Sequence, residues 1–257
     1  MANQTARDLR FSLDTPAFFH ACTGFDPDPW QIQVLESVSP KLALNISRQG
    51  GKTTVCSAVA LHAALYDSPG ENVVLLAPSL RQSSEAMRAI TGMYRNLSGE
   101  SVEPVVAESA LRLEFKNRSR IIAMPGAGDA TVRGPNAKLI LCDEASRVSE
   151  ELIKACRPFL ATKVGGRLLA ISTPWFQRGW WHDAWINTDD TSWERIKVTA
   201  YECSRIDPKW LESERAEIGE VAFRSEYLCE FLDESAAMFP DALIRAAFDP
   251  NLRPLWS

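Results

Sequence analysis

The sequence predicts an α/β fold, a mostly parallel sheet flanked by helices. Apolar runs of strand length alternate with helix-length runs along most of the chain, which implies right-handed βα crossovers. Several of these strands are apolar without interruption, as strands covered on both faces are. Polar residues able to do chemistry stand at their C-terminal ends, the edge where open α/β sheets bind ligands. The 257 residues suffice for one core with a small appendage, and 46% hydrophobic with 24% charged residues is an ordinary globular balance. The core is placed at residues 1–200. A lid subdomain and the start of a linker are placed at 201–257.

Residues 1–29, with Phe18, Phe19, Phe25, Pro27 and Pro29, form an N-terminal segment expected to pack on the sheet. Pro29-Trp30-Gln31 then opens a helix, with the proline in its first turn. Trp30 and Gln31 are candidates for adenine, the ring by stacking and the amide by its paired donor and acceptor. The competing reading is a core tryptophan and a capping glutamine. Strands are predicted at 42–46, 72–77, 112–115, 120–124, 139–143, 167–172 and 195–200. Helices are predicted at 53–65, 82–97, 150–160, 180–186 and 208–218. The alternating stretch 111–124 reads as a hairpin turning near Asn117-Arg118 and decorating one sheet edge. Past Thr199 the pattern changes to Pro-bounded helices carrying Trp210, Phe223, Tyr227, Phe231 and Phe239, the proposed lid.

The most informative stretch is Ser47-Arg48-Gln49-Gly50-Gly51-Lys52-Thr53-Thr54, between an apolar run and a helix-like one. Backbone N–H groups in such a turn form an anion nest, and the helix N-terminus adds partial positive charge. Lys52 suits the β- and γ-phosphates of ATP, and the Thr53 hydroxyl suits Mg²⁺. Ile46 stands where the usual pattern has its first glycine, so a chance turn is the competing reading. Support comes from Leu139-Ile140-Leu141-Cys142-Asp143-Glu144, a buried strand delivering two carboxylates to the ligand edge. Asp143 suits the metal, and Glu144 suits polarising a water for in-line attack. An acid pair capping the next helix is the plainer alternative. Ser172-Thr173-Pro174 closes a third buried strand, where the hydroxyls either sense the γ-phosphate or simply turn the chain.

Taken together, these segments resemble the ATPase domain of the large terminase subunit of tailed bacteriophages. The Ser47–Thr53 turn is similar to that family's variant phosphate loop, which also lacks the first glycine. Ala77-Pro78-Ser79-Leu80-Arg81-Gln82-Ser83 resembles its second-strand motif. Val132-Arg133-Gly134 with Asn136 and Asp143-Glu144 resembles its acidic motif, and Ser172-Thr173-Pro174 its coupling motif. Phe223-Arg224 through Phe231 resembles the segment closing the domain. The resemblance implies a P-loop NTPase of the RecA/ASCE type, an ATPase pumping double-stranded DNA into a procapsid. It implies Mg²⁺, a portal protein and a small terminase subunit as partners, and a homo-oligomeric ring, with an isolated chain possible as monomer. It also places an arginine finger at Arg133, in the glycine-flanked loop 128–135, acting on the neighbouring subunit's ATP. A structural Arg-Gly turn is the alternative for Arg133. Arg48, inside the phosphate loop, is a second candidate, acting in cis or gating the site. A guanidinium in such a role speeds phosphoryl transfer by roughly 10³ to 10⁵. The nuclease domain that accompanies this ATPase in the family has no counterpart among the last 25 residues, so DNA cutting is not expected.

The formal net charge of −5 argues against tight general DNA binding by this domain alone. Arg112, Lys116, Arg118 and Arg120 on the hairpin face either DNA or solvent. The six cysteines, at 22, 56, 142, 156, 203 and 229, show no C-x-x-C spacing and read as buried thiols in a reducing compartment. No signal peptide or bilayer-length apolar run is visible, so a soluble protein of the infected cell's cytoplasm is expected. Two other functions remain open: a helicase-like DNA translocase, and a nucleotide-gated binding module for a portal protein.

Overall fold

The computed structural model describes residues 2–97, 102–126 and 135–233. Among them eight strands form one sheet: β1 (Lys41–Ile46), β2 (Asn72–Ala77), β3 (Val105–Ser109), β4 (Arg112–Phe115), β5 (Arg120–Pro125), β6 (Leu139–Asp143), β7 (Arg167–Ser172) and β8 (Trp193–Val198). Their order is β3-β4-β5-β2-β6-β7-β1-β8. The six strands from β5 to β8 run parallel, and β3 and β4 add an antiparallel flap. β5 is both the second arm of the predicted hairpin and a parallel partner of β2.

The parallel strands bury both faces, which explains their unbroken apolar sequences. Leu42, Leu44, Val73, Leu75, Leu139, Leu141, Leu169 and Ile171 point to the larger core cluster. Their neighbours Ala43, Val74, Leu76, Ile140, Cys142, Leu168 and Ala170 point to the other. The larger core is roofed by α2 (Thr15–Thr23), α3 (Pro29–Glu36), α4 (Lys52–His62) and α5 (Leu80–Leu97), and the opposite face by α6 (Glu150–Cys156) and α7 (Gly179–Ile186). A third, small cluster of Ala200, Leu211, Phe223 and Tyr227 joins α8 (Pro208–Ile218) to α9 (Glu220–Leu228).

Some elements depart from the sequence expectations. The N-terminal segment is helical, as α1 (Ala2–Leu13) and α2. Asp14 caps α2 by accepting from Ala17 N at 2.8 Å, and Gly24 ends it in the left-handed conformation. β3 was not foreseen; its side chains are mostly exposed at the sheet margin, so no burial pattern marks it. The expected helix 150–160 ends at Cys156 and continues as a 3₁₀ turn, because Pro158 removes a backbone donor. α4 gives way to a π-helical segment, Ala63–Asp67. β8 lies two residues earlier than expected, since Thr199 and Glu202 cap a 3₁₀ turn that takes Ala200. Phe239 lies outside the described residues.

Trp181 of α7 is 2% exposed, and its indole N–H donates to Asn45 Oδ1 of β1 at 3.1 Å, just before the phosphate loop. It therefore carries both packing and the hydrogen bond of a buried amide. Trp181→Ala is expected to destabilise the protein by roughly 3–5 kcal/mol, read as a lower urea midpoint with an unchanged slope.

Candidate functional site

The loop after β1 is pinned at each residue that shapes it. Ser47 N donates to Val198 O of β8 at 2.9 Å, Arg48 N to Glu226 O of α9 at 2.7 Å, and Gly50 N to Ser47 O at 3.2 Å. Gln49 takes a left-handed backbone at φ 60°, rare for a residue with a side chain. Gly51 (φ 96°) holds a left-handed backbone that would strain any side chain, and the Gln31 amide stands close by, 3.2 Å from where a Cβ would be.

α4 begins at Lys52, so its first N–H groups face the loop. Lys52 Nζ lies 3.4 Å from both Ile46 O and Ser47 O and donates to Thr173 Oγ1. Thr173 Oγ1 in turn donates to Ile46 O at 3.2 Å. The ammonium is thus held between the ends of β1 and β7. The register β6–β7–β1 brings the acidic strand to the same edge. Lys52, Glu144, Arg48, Thr173, Arg147 and Glu226 wall one open cleft of about 260 Å³.

Asp143 ends β6 and accepts from Glu144 N at 2.9 Å. Glu144 has φ 50° and ψ 46°, a left-handed conformation that costs an ordinary residue free energy and recurs where function holds it. Burial pushes the Asp143 carboxyl up to about 6; the Glu144 charge adds to the rise, and Lys52 and the Glu144 N–H oppose it. The same burial drives the Cys56 and Cys142 thiols well above their ordinary range. All six cysteines are buried and unbonded to one another. Thr53 and Asp143 line a second, narrower hollow. A hydroxyl and a carboxylate are hard oxygen donors of the kind Mg²⁺ takes, and the excess negative charge at Asp143-Glu144 fits a divalent cation.

Ser172 Oγ accepts from Ser146 N at 3.1 Å and donates to Ser146 Oγ at 2.7 Å, while Ser146 Oγ donates to Thr173 O at 3.1 Å. Pro174 O accepts from Ser225 Oγ of α9 at 3.2 Å. Ser172, Thr173 and Pro174 therefore connect the end of β6, Lys52 and the α8–α9 pair. Thr54 sits half-buried in the first turn of α4.

Not every expected residue reaches the cleft. Trp30 is 7% exposed inside the larger core, without an open face for a base. This is the packing alternative, and it removes the stacking role. Gln31 is fully buried beside Gly51, its Oε1 accepting from Asp28 N at 2.9 Å. Arg133 and its loop lie outside the described residues. On the hairpin, Arg120 Nε is spent on Asn72 Oδ1 at 2.8 Å, while Arg112, which pairs with Glu114, and Lys116 and Arg118 are all exposed. Glu226 falls in the closing segment that the resemblance picked out, whereas Trp175 and Arg147 were not singled out from the sequence. The Arg147 guanidinium stacks 3.5 Å from the Trp175 ring centre. Its nearness to Glu144 in the chain was the available signal.

Fold and site together define a P-loop nucleotide-binding domain with a lysine loop, an acidic strand and a polar third strand. The chain matches the family described as "Terminase large subunit, T4likevirus-type, N-terminal" over residues 43–246. It belongs to that family. A large terminase subunit of Thermus phage G20c is 23% identical over 253 residues, covering 86% of this chain and 52% of its own. The chain thus spans about half the length of the curated relatives it matches. The ATPase domain of the Thermus phage P74-26 large terminase superposes with a TM-score of 0.70 at 22% identity, over 83% of this chain and 97% of that one. A large terminase from a thermophilic bacteriophage, solved in complex with ADP, gives 0.68 at 13% identity, over 80% and 54%. Among the described residues no helix is long and apolar enough to cross a membrane.

The Asp143 shift makes a stability prediction. Its folded pKa of about 6 lies above the ordinary 3.8, so the folded state binds the proton more tightly. The stability this contributes is complete at low pH and is lost as pH rises through about 6. Asp143→Asn is therefore expected to raise the thermal midpoint in metal-free buffer at pH 7, with a gain that shrinks towards pH 4. Thermal scans across that range check it.

Proposed function

We propose that this chain is an ATPase motor domain that drives double-stranded viral DNA into a procapsid. One observation carries the reading: Lys52 and Glu144 wall the same cleft at the C-terminal edge of a parallel sheet, with Asp143 and Thr53 beside it. Backbone N–H groups of residues 49–54 cradle the phosphates, and Lys52 neutralises the β- and γ-oxygens. Thr53 and Asp143 would hold Mg²⁺, which supplies charge neutralisation when bound. Glu144 accepts a proton from the attacking water. Arg48, exposed on the cleft wall, supplies positive charge in cis. The ADP complex of a related terminase supports nucleotide binding at this fold.

Coupling runs through Ser172, Thr173 and Pro174. Thr173 shares the Lys52 ammonium and Pro174 shares Ser225 of α9, so a γ-phosphate competing for Lys52 releases one end of a chain of contacts that ends in α9. In the assembled motor the partners are DNA, a portal protein and a small terminase subunit, and the subunits form a ring in which Arg133 reaches the neighbour's ATP.

Phosphate release is the direct assay. Lys52→Ala should lose both nucleotide binding and turnover. Glu144→Gln should keep ATP binding and lose turnover by roughly 10² to 10⁴; a Glu144→Gln protein working at the wild-type rate would refute the mechanism. The ring is tested by mixing. Arg133→Ala and Lys52→Ala proteins should partly restore each other's activity, and no recovery at any ratio would exclude a finger acting in trans.

A further inference from the structure

At the end of the sheet opposite the cleft, the first residues of β6 and β7 and the last turn of α4 enclose a cavity of about 580 Å³. That volume is in the range of small-molecule sites. Leu35, Val59, Ala63 and Leu139 give it apolar walls. Leu13 and Val38 also line it and remain 78% and 88% exposed. We infer that this cavity binds a small organic anion, a carboxylate carried on an apolar body, with Arg167 and Lys138 holding the charged end.

Two cations of the lining lack a counter-charge. Arg167 opens β7, and its N–H donates to Lys138 O at 2.9 Å, so the two residues are neighbours on adjacent segments. Among the described residues neither pairs with a carboxylate. Lys138 Nζ donates to the main-chain oxygen of Val164, and Arg167 Nε to that of Ser39 at 3.1 Å. Arg167 Nη2 is buried without a hydrogen-bond partner. Neutral acceptors leave both charges uncompensated, and a buried donor without a partner costs free energy that a ligand oxygen can return. Burial lowers the Arg167 guanidinium from its ordinary value, and Asp67 and Glu194 oppose that from a distance. A carboxylate suits the place, because its two oxygens match the fork of a guanidinium.

The acids of the lining do not fill this role. Glu36 is exposed. Asp67 is committed to His62, a side chain only 3% exposed, whose Nδ1 lies 3.2 Å from Asp67 Oδ1 and whose Nε2 lies 2.8 Å from Phe11 O. The two residues are five apart, and the π-helical turn Ala63–Asp67 brings them onto one face; such turns recur at functional sites. Burial acts to raise the Asp67 carboxyl. The His62 hydrogen bond and charge, then Arg167 and Lys138, more than offset it and hold the group below its ordinary range. A polyphosphate would bring more charge than two cations balance and would leave the apolar walls uncovered. A single carboxylate on a hydrocarbon body meets both.

Calorimetric titration with octanoate tests this, with octanol, octylammonium and inorganic phosphate as comparison probes and circular dichroism to confirm folding. Octanoate should bind at one site per chain, and each comparison probe at least tenfold more weakly. Lys138→Gln and Arg167→Gln should each weaken octanoate by roughly tenfold or more, while Lys138→Arg should retain it. Val38→Glu, at an exposed position that leaves the fold alone, should weaken octanoate by charge repulsion, an effect that added salt reduces. Lys52→Ala, altered at the other end of α4, should bind octanoate as the wild type does. Octanol or phosphate binding as tightly as octanoate, a folded Lys138→Gln protein with wild-type affinity, or no octanoate binding at all overturns the site. Loss of octanoate binding in Lys52→Ala assigns the binding to the cleft and overturns it equally.

Discussion

The structure depends on how one ammonium is held. Lys52 is the first residue of α4, and its side chain lies back across the ends of β1 and β7, between two main-chain carbonyls and the Thr173 hydroxyl. These partners are neutral acceptors. They orient the charge without cancelling it, so it stays available to a polyanion. Opposing charge comes from the end of β6, where burial and the Glu144 charge already push the Asp143 carboxyl up and the Lys52 charge works against that rise. A site with separated, incompletely compensated charges of both signs suits a substrate that brings phosphates and a divalent cation together.

The sheet makes this arrangement possible through register. β6, β7 and β1 are adjacent and parallel, so three segments far apart in sequence end on one edge. That much was legible in the residues, because apolar runs such as Leu139–Cys142 end abruptly in chemistry-bearing groups, and a strand buried on both faces leaves such groups only its end. The N-terminal helices were less legible. The residues of α2 include two phenylalanines and a buried cysteine with no clean polar face, and its markers, Asp14 and Gly24, lie outside the apolar stretch. β3 lacked a signal for the opposite reason, since it buries almost nothing.

Within the site, the sequence exposed what sits on one continuous motif and hid what arrives from elsewhere. Lys52, Asp143 and Thr173 each belong to a recognisable stretch. Arg205 and Glu226 come from the segment after β8, and their meeting with the loop depends on how α8 and α9 pack through Leu211, Phe223 and Tyr227. Trp30 shows the same limit from the other side. Its type suits stacking on a base, but the helix that carries it turns its ring into the core, a matter of helix phase that residue identity does not reveal.

The attachment of α9 has a mechanical consequence. Consecutive residues of this short helix grip two banks of the cleft, the segments that follow β7 and β1: Ser225 holds the backbone at Pro174, and the carbonyl of Glu226 holds the amide of Arg48. Because they are neighbours on one rigid rod, the two banks cannot separate while both grips persist. Widening the cleft must either break a grip or tilt the whole rod and carry α8 with it through their shared apolar cluster, which turns a local opening into a swing of both helices.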